Sequence, residues 1–354
     1  MTVIAGIALY NVKKPSADGR FFMNKISMRA MVDNGLLGAG SGHFSGTYGD
    51  NQAEYFISQT DPEKGFPDLT SIKERERLTA ECPDRAYNDY FKIGVEYGPV
   101  AMLFFIALML LSIVYSYKTS NIFCYGLAAF AVFACFSYPL TFVVFKLLLS
   151  VLLATCIPYV KEYRLLSRSV YAIITMTCVC MILFHEIPEM RHRKTADKEC
   201  GRIMKKYKAG YYDYVVENSH KVFENEQDNI DFMYAYGRSL HMTGNYEQSD
   251  SILMLCTRMS CDPMIWSIMG NNSLALGRYD EAEERYKYAF YMVPNRLYPL
   301  TMLAKLYHTE GDTVNFIDMA DKIEAFKPKI ESFHTERLRQ EILDIKAGYE
   351  IIND

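Results

Sequence analysis

No side chain between Val100 and Tyr117 carries a charge, and a run of that length constrains the fold more than any other feature of the chain. At about 1.5 Å per residue, roughly twenty helical residues cover the ~30 Å hydrocarbon core of a bilayer. The segment is therefore expected to be a transmembrane helix. Charge is segregated around it: between Pro99 and Pro188 charged side chains are few, whereas the flanks carry nearly all the acids and bases. A net charge of −4 and a mean hydropathy near zero conceal this division, which marks a membrane protein with water-exposed parts.

The next apolar run, 121–160, is too long for one span and is broken at "FSYPL", Phe136 to Leu140. Pro139 lacks an amide donor and biases Tyr138 away from helix, so the run reads as two spans turning at Ser137 to Pro139. Lys146 falls within the second, where it should snorkel or face protein. Ser169 to Phe184 supplies a fourth span, giving four helices over residues 98–188. With four, the loop before them and the domain after them share one side. Lys118 and "KEYRLLSR" then lie together on the other, which the positive-inside rule makes cytoplasmic. The opening "MTVIAGIALYNVKK" holds only about a dozen residues before its lysines, too few to span and with the charges on the wrong side for a signal peptide. Residues 1–13 read as the end of a membrane helix belonging to a longer protein. Cys124, Cys135, Cys156, Cys178 and Cys180 lie in apolar helices and are expected to pack there. Cys82, Cys200, Cys256 and Cys261 form no CxxC pair, and neither a zinc site nor a disulfide framework is indicated.

Gly210, Gly244, Gly277 and Gly311 are spaced by 34, 33 and 34 residues. That period, with Trp266, Gly270, Ala282, Tyr286, Ala289 and Pro294 at matching offsets in the best copy, is the tetratricopeptide pattern of paired helices. Small residues let the two helices approach, and Trp266 and Tyr286 are expected to fill the wedge between neighbouring repeats. Residues 195–354 should form an α-solenoid of three to four such hairpins with a capping helix from "SFHTERLRQEILDIKAGYEII". The fold class expected is thus all-α: polytopic transmembrane helices with a loop outside the membrane, then tetratricopeptide-like repeats. Such arrays bind partners, so a protein partner at the repeats is expected by analogy of fold.

Residues 14–97, the loop before the spans, hold the candidate chemistry. "KISMRAMVDN" has helical periodicity, with Ile26, Met28, Met31 and Val32 on related faces. "GLLGAGSGHF" offers GxGxG rather than the GxGxxG of a dinucleotide site. Its Gly38 and Gly40 can instead let backbone amides approach a phosphate or sugar, and His43 reads as a turn residue.

The order GR, a helical stretch, "DNGLLGAGSGHF", "NQAEYF", "AYNDYFKIGVEYG" running into a helix, then "FSYPL", resembles the C-terminal half of the O-antigen ligase and O-antigen polymerase family of bacterial membrane glycosyltransferases. The resemblance covers about residues 1–160. It implies a multi-span inner-membrane protein with a large periplasmic loop. It also implies transfer of glycan from an undecaprenyl-diphosphate carrier to lipid A core, a polysaccharide or a protein, with membrane lipid as the setting. Neither cofactor nor metal nor nucleic acid is called for. Arg20 matches the arginine of the family's GR entry, Glu96 and Gly98 its E-x-G, and Tyr87 and Asn88 the place of a His-Asn pair. An arginine suits a leaving diphosphate, because its forked donors stay charged; Arg20 is the first candidate and Arg29 the second. Tyrosine is a poor base near neutrality, so Tyr87 is assigned stacking, Asn88 orientation by hydrogen bonding, and Glu96 the role of base. Gln52 and Tyr55 of "NQAEYF", with Gly38 and Gly40, complete the expected substrate contacts. The competing expectation is a non-catalytic membrane-anchored scaffold in which the repeats recruit a partner.

Overall fold

The computed structural model describes residues 14–61, 65–156, 176 and 195–353. These are all-α, with no strand among the described residues. Both the first expected partial span, 1–13, and nearly all of the fourth, Ser169 to Phe184, fall outside them.

Four helices build the region before the apolar segment: α1 (Lys14–Asp33), α2 (Phe44–Ile57), α3 (Glu74–Thr79) and α4 (Asp89–Tyr97). Helix α1 packs on α2 and α4. Its buried side chains are Phe22, Met23, Ile26, Ala30 and Met31, joined in one core with Phe44, Tyr48, Phe56 and Val95. Met28 and Val32, expected on that face, are 55% and 69% exposed. A straight 3.6-residue period from Ile26 reaches Ala30 rather than Met28.

Helix α5 (Pro99–Lys118) starts on proline, whose missing amide is harmless in a first turn. Among the described helices it alone is long and apolar enough to cross a membrane. Helices α6 (Phe123–Phe136) and α7 (Val143–Cys156) are apolar with 14 described residues each, separated at Pro139–Thr141 by a short 3-10 turn where the proline break is expected. The three pack together through Met109, Leu127, Phe130, Leu149 and Leu152. Ser116 Oγ donates to Cys156 O at 2.9 Å and Asn121 Nδ2 to Thr155 O at 2.8 Å, closing one end of the group. The outward side stays apolar and bare, with Phe104 72% and Val144 74% exposed.

The C-terminal region begins with α8 (195–208), α9 (Tyr212–Ser219) and the one-turn α10 (Phe223–Glu226). Hairpins follow: α11 (Ile230–Met242) with α12 (Tyr246–Thr257), α13 (Pro263–Ala275) with α14 (Tyr279–Met292), and α15 (Tyr298–Glu310) with α16 (Thr313–Ala325). Helix α17 (Phe333–Asn353) covers the last pair. All four periodic glycines sit at helix ends with φ between +73° and +80°, the left-handed conformation that turns one helix into the next. Within the central hairpin, a Cβ on Gly270 would lie 2.5 Å from the Tyr286 ring, so the missing side chain is what admits the tyrosine. Tyr286 is fully buried and its hydroxyl donates to Asn271 Oδ1 at 2.7 Å. Trp266 differs from expectation: it is only half-buried, leans on Tyr288 at 4.5 Å between ring centres, and its indole N–H has no hydrogen-bond partner among the described residues. Tyr286→Ala should therefore lower stability by about 3–5 kcal/mol, as buried aromatic truncations do. Trp266→Ala should lower it by clearly less. Thermal unfolding of the purified chain orders the two, and a larger loss for Trp266 would contradict this packing.

Helix α2 lies against α14, so the region before the apolar helices is docked on the hairpins. The joint is made of buried polar groups that complete each other. Gln52 Nε2 donates to Glu81 O and to Met292 O, while Gln52 Oε1 accepts from Tyr48. Asn295 Nδ2 donates to Arg77 O and Ala80 O, and the Arg77 guanidinium donates to Pro294 O and Lys327 O. A disulfide, Cys82–Cys261, crosses the same joint with 5.3 Å between Cα atoms, contrary to the expectation of none. The two cysteines are 179 residues apart, so no local spacing announces them. A ring of that size removes unfolded-chain entropy worth about 5 kcal/mol in the chain-entropy account.

Candidate functional site

Three parts of the chain meet where α1, α4 and the Phe136–Phe142 turn come together. The Arg20 guanidinium lies 5.3 Å from the centre of the Tyr87 ring and reaches Phe136 O at 3.5 Å. Tyr87 meets Tyr138 edge-on at 5.4 Å, and Arg85 stands over Tyr138 and Phe142 at 5.6 and 5.9 Å. Arg20, Arg85 and Tyr87 are all exposed. The result is an open patch holding two guanidinium groups among aromatic rings, at the end of the bare apolar helices. Cations held over ring faces keep free donor edges, and a forked donor set binds phosphate oxygens in pairs.

Asn88 caps α4: its Oδ1 accepts from the amides of Tyr90 and Phe91 at 3.0 and 3.2 Å. That hydrogen bonding orients backbone, and it holds Tyr87 just outside the helix. The next residue, Asp89, was not singled out from the sequence. It is 1% exposed, and its Oδ2 accepts from Leu140 N at 2.8 Å, tying α4 to the turn. Oδ1 has no partner. Burial pushes the Asp89 carboxyl up to about 6, against the opposing pull of the Leu140 amide, Lys92 and Lys146. A buried acid following an Asn cap, beside a proline-broken apolar run, is the only sequence signal it carries.

A raised folded-state value means that ionisation opposes folding. Stability from the neutral form is complete below the unfolded value near 3.8 and is lost as pH rises through about 6. Asp89→Asn keeps an acceptor for Leu140 N–H and removes the charge. The variant should unfold at a higher temperature than the wild type at about pH 8, with the gain shrinking toward about pH 4. A gain independent of pH would contradict the assignment.

The glycine-rich loop folds over the other end of α4. Ala39 N–H donates to Val95 O at 2.8 Å and Gly40 N–H to Glu96 O at 2.9 Å. Gly38 and Gly40 take φ of +72° and +102°, and a Cβ on Gly38 would lie 2.5 Å from Gly98 N. Glu96 is buried beneath this loop, accepting from Gly42 N at 3.2 Å and from the Phe44 amide at the start of α2, with Lys92 Nζ 3.9 Å away. Burial raises its pKa. Its carboxylate, expected as the base, stands buried under the loop and organises it. His43 Nδ1 meets Ala39 O at 3.1 Å, a turn contact as expected.

Neither a protein-family model nor a curated protein matches this chain.

The remaining candidates stand elsewhere. Arg29 pairs with Asp33 one turn along α1 at 3.5 Å. Tyr55 shares Glu76 with Lys25, whose Nζ is 2.8 Å from Glu76 Oε1 and 4.2 Å from the Tyr55 ring centre. Gln52 is fully buried in the joint with the hairpins. Its polar contacts are with Tyr48, Glu81 O and Met292 O, so the side chain expected at a substrate takes part in docking the loop on the hairpins. Of the nine residues expected at the site, Arg20, Tyr87 and Asn88 come together at the open patch. Gly38, Gly40 and Glu96 form the latch above α4.

Proposed function

We propose that this chain belongs to a bacterial membrane glycosyltransferase of the O-antigen ligase and polymerase class. Its aromatic and guanidinium patch would receive the diphosphate of an undecaprenyl-linked glycan. The observation that carries the reading is the convergence of Arg20, Tyr87 and the Phe136–Phe142 turn, far apart in sequence, at the end of apolar helices. Bare outward faces on α5 and α7 support a lipid setting and, with the apolar run beyond residue 156, a polytopic arrangement. The disulfide supports an oxidising compartment for the loop and the repeats, as the periplasm is. Paired helices with glycine turns at the 33–34-residue period support a tetratricopeptide solenoid.

In the reaction an acceptor hydroxyl oxygen forms a bond to the anomeric carbon while that carbon's bond to the diphosphate breaks. The diphosphate leaves with the electron pair, and the hydroxyl proton passes to water. The developing negative charge falls on phosphate oxygens, where Arg20 and Arg85 offer charge-assisted donors. Lipid A core, polysaccharide or protein are the acceptors this class implies. The scaffold reading has its own support, since Gln52, Asn295 and Arg77 are wholly engaged in fixing the loop on the hairpins.

Binding of undecaprenyl diphosphate to the purified protein in detergent, followed by native mass spectrometry, separates the readings. Arg20→Ala should weaken binding about tenfold, the loss of one charged hydrogen-bond set. No binding, or binding unaffected by the substitution, would favour the scaffold.

A further inference from the structure

A cavity of about 870 Å³ lies on the side of the hairpins that faces the docked loop. Two helices present side chains to it at helical spacing: Tyr234, Arg238 and His241 from α11, and Met264, Ile268 and Asn271 from α13. Arg296, Leu297 and Tyr298 enter from the start of α15, and Lys329, His334 and Leu338 from the end of the array. The remaining wall is Ala80, Glu81 and Cys82, which belong to the loop. That wall is fixed twice, by the Cys82–Cys261 bond and by Asn295 Nδ2 donating to Ala80 O at 2.8 Å. Loop and hairpins line the cavity together.

We infer that this composite cavity binds an extended peptide that carries acidic and apolar side chains together. Its charge is one-sided: Arg238, Arg296 and Lys329 line it, with Glu81 the single carboxylate. Glu81 is held by Lys329. Arg296 is exposed and makes no ion pair with a described residue, and Arg238, also exposed, is hydrogen-bonded to the hydroxyls of Tyr207, at 3.4 Å, and Tyr234. Two guanidinium groups are thus left facing an open space with donors to spare. The floor between them is apolar, from Met264, Ile268, Val293 and Leu297. A polyanionic sugar chain satisfies the cations and gains little from that floor, whereas alternating acidic and apolar side chains satisfy both. A wall fixed before binding lowers the ordering cost of closing around such a segment. The inference does not rest on glycan transfer, because a bound peptide would serve a transferase or a scaffold equally.

The test uses the whole purified chain in detergent and a fluorescein-labelled peptide of repeated Glu-Leu-Gly, read by fluorescence anisotropy. A Lys-Leu-Gly peptide, a Glu-Gly peptide and polygalacturonate are compared. The Glu-Leu-Gly peptide should bind at least about tenfold tighter than either other peptide, and salt should weaken it. Arg238→Glu with Arg296→Glu should weaken it about tenfold more; the gentler Arg296→Gln should give a smaller loss in the same direction. Both arginines are exposed, and unchanged circular dichroism confirms that the variants fold. Absence of binding, equal affinity for the lysine peptide, or affinity unchanged in the double variant would overturn the inference. So would polygalacturonate binding in place of the acidic-apolar peptide, which would assign the cavity to polysaccharide. None of these outcomes alters the lipid diphosphate result for Arg20, so the two failures are distinguishable.

Discussion

Gly98→Ala should destabilise the loop by more than about 4 kcal/mol, in the range that single substitutions seldom reach. Gly98 has φ +88°, and a Cβ built on it would lie 1.9 Å from Leu36 O and 2.5 Å from the Leu36 carbonyl carbon. Both obstacles are backbone, so no side chain can rotate away. The Leu36 segment cannot retreat either, because Ala39 and Gly40 are bonded to Val95 O and Glu96 O and Glu96 holds the Gly42 amide. The new methyl must break this latch or expel Gly98 from the left-handed conformation that aims α5 away from α4. Gly35→Ala is the internal control: φ is +68°, with no atom within 4 Å of the added carbon, so only conformational strain of about 1–2 kcal/mol applies. Limited proteolysis across residues 34–42 should show rapid cleavage in Gly98→Ala and slow cleavage in Gly35→Ala. Equal rates would mean that the loop does not rest on the end of α4.

What could be read in advance divides by distance along the chain. The proline break at Pro139, the apolar helix over Pro99–Lys118 and the left-handed turns at the four periodic glycines depend on neighbours within a few residues, and all stand where the local pattern puts them. The Cys82–Cys261 bond and the donors of Asn295 to Arg77 O and Ala80 O join segments about two hundred residues apart, beyond any periodicity. Gln52 shows the cost of that blindness. A polar residue in a loop reads as a ligand contact, and only the tertiary fold reveals that its amide completes a buried joint. Glu96 is a similar case, since nothing local tells that its carboxylate collects the amides of Gly42 and Phe44. Arg20 and Tyr87 were singled out through a resemblance, and their juxtaposition is a property of the fold alone.

The central claim is that the Arg20 patch is a donor site, and transfer measured in cells tests it most directly. Arg20 is exposed, and among the described residues it makes one long hydrogen bond to Phe136 O and a contact with the Tyr87 ring, so replacing it should leave folding and membrane insertion intact. Lysine preserves the charge and loses the fork; alanine removes both. Losing a charged hydrogen-bond set that acts on the leaving diphosphate should lower transfer by about a hundredfold for Arg20→Ala, with Arg20→Lys between. Arg29, paired with Asp33, should matter little. In a deletion strain complemented with each variant, transferred glycan should fall in the order Arg, Lys, Ala at equal protein levels, while undecaprenyl-linked glycan accumulates. Full transfer by Arg20→Ala would contradict the account.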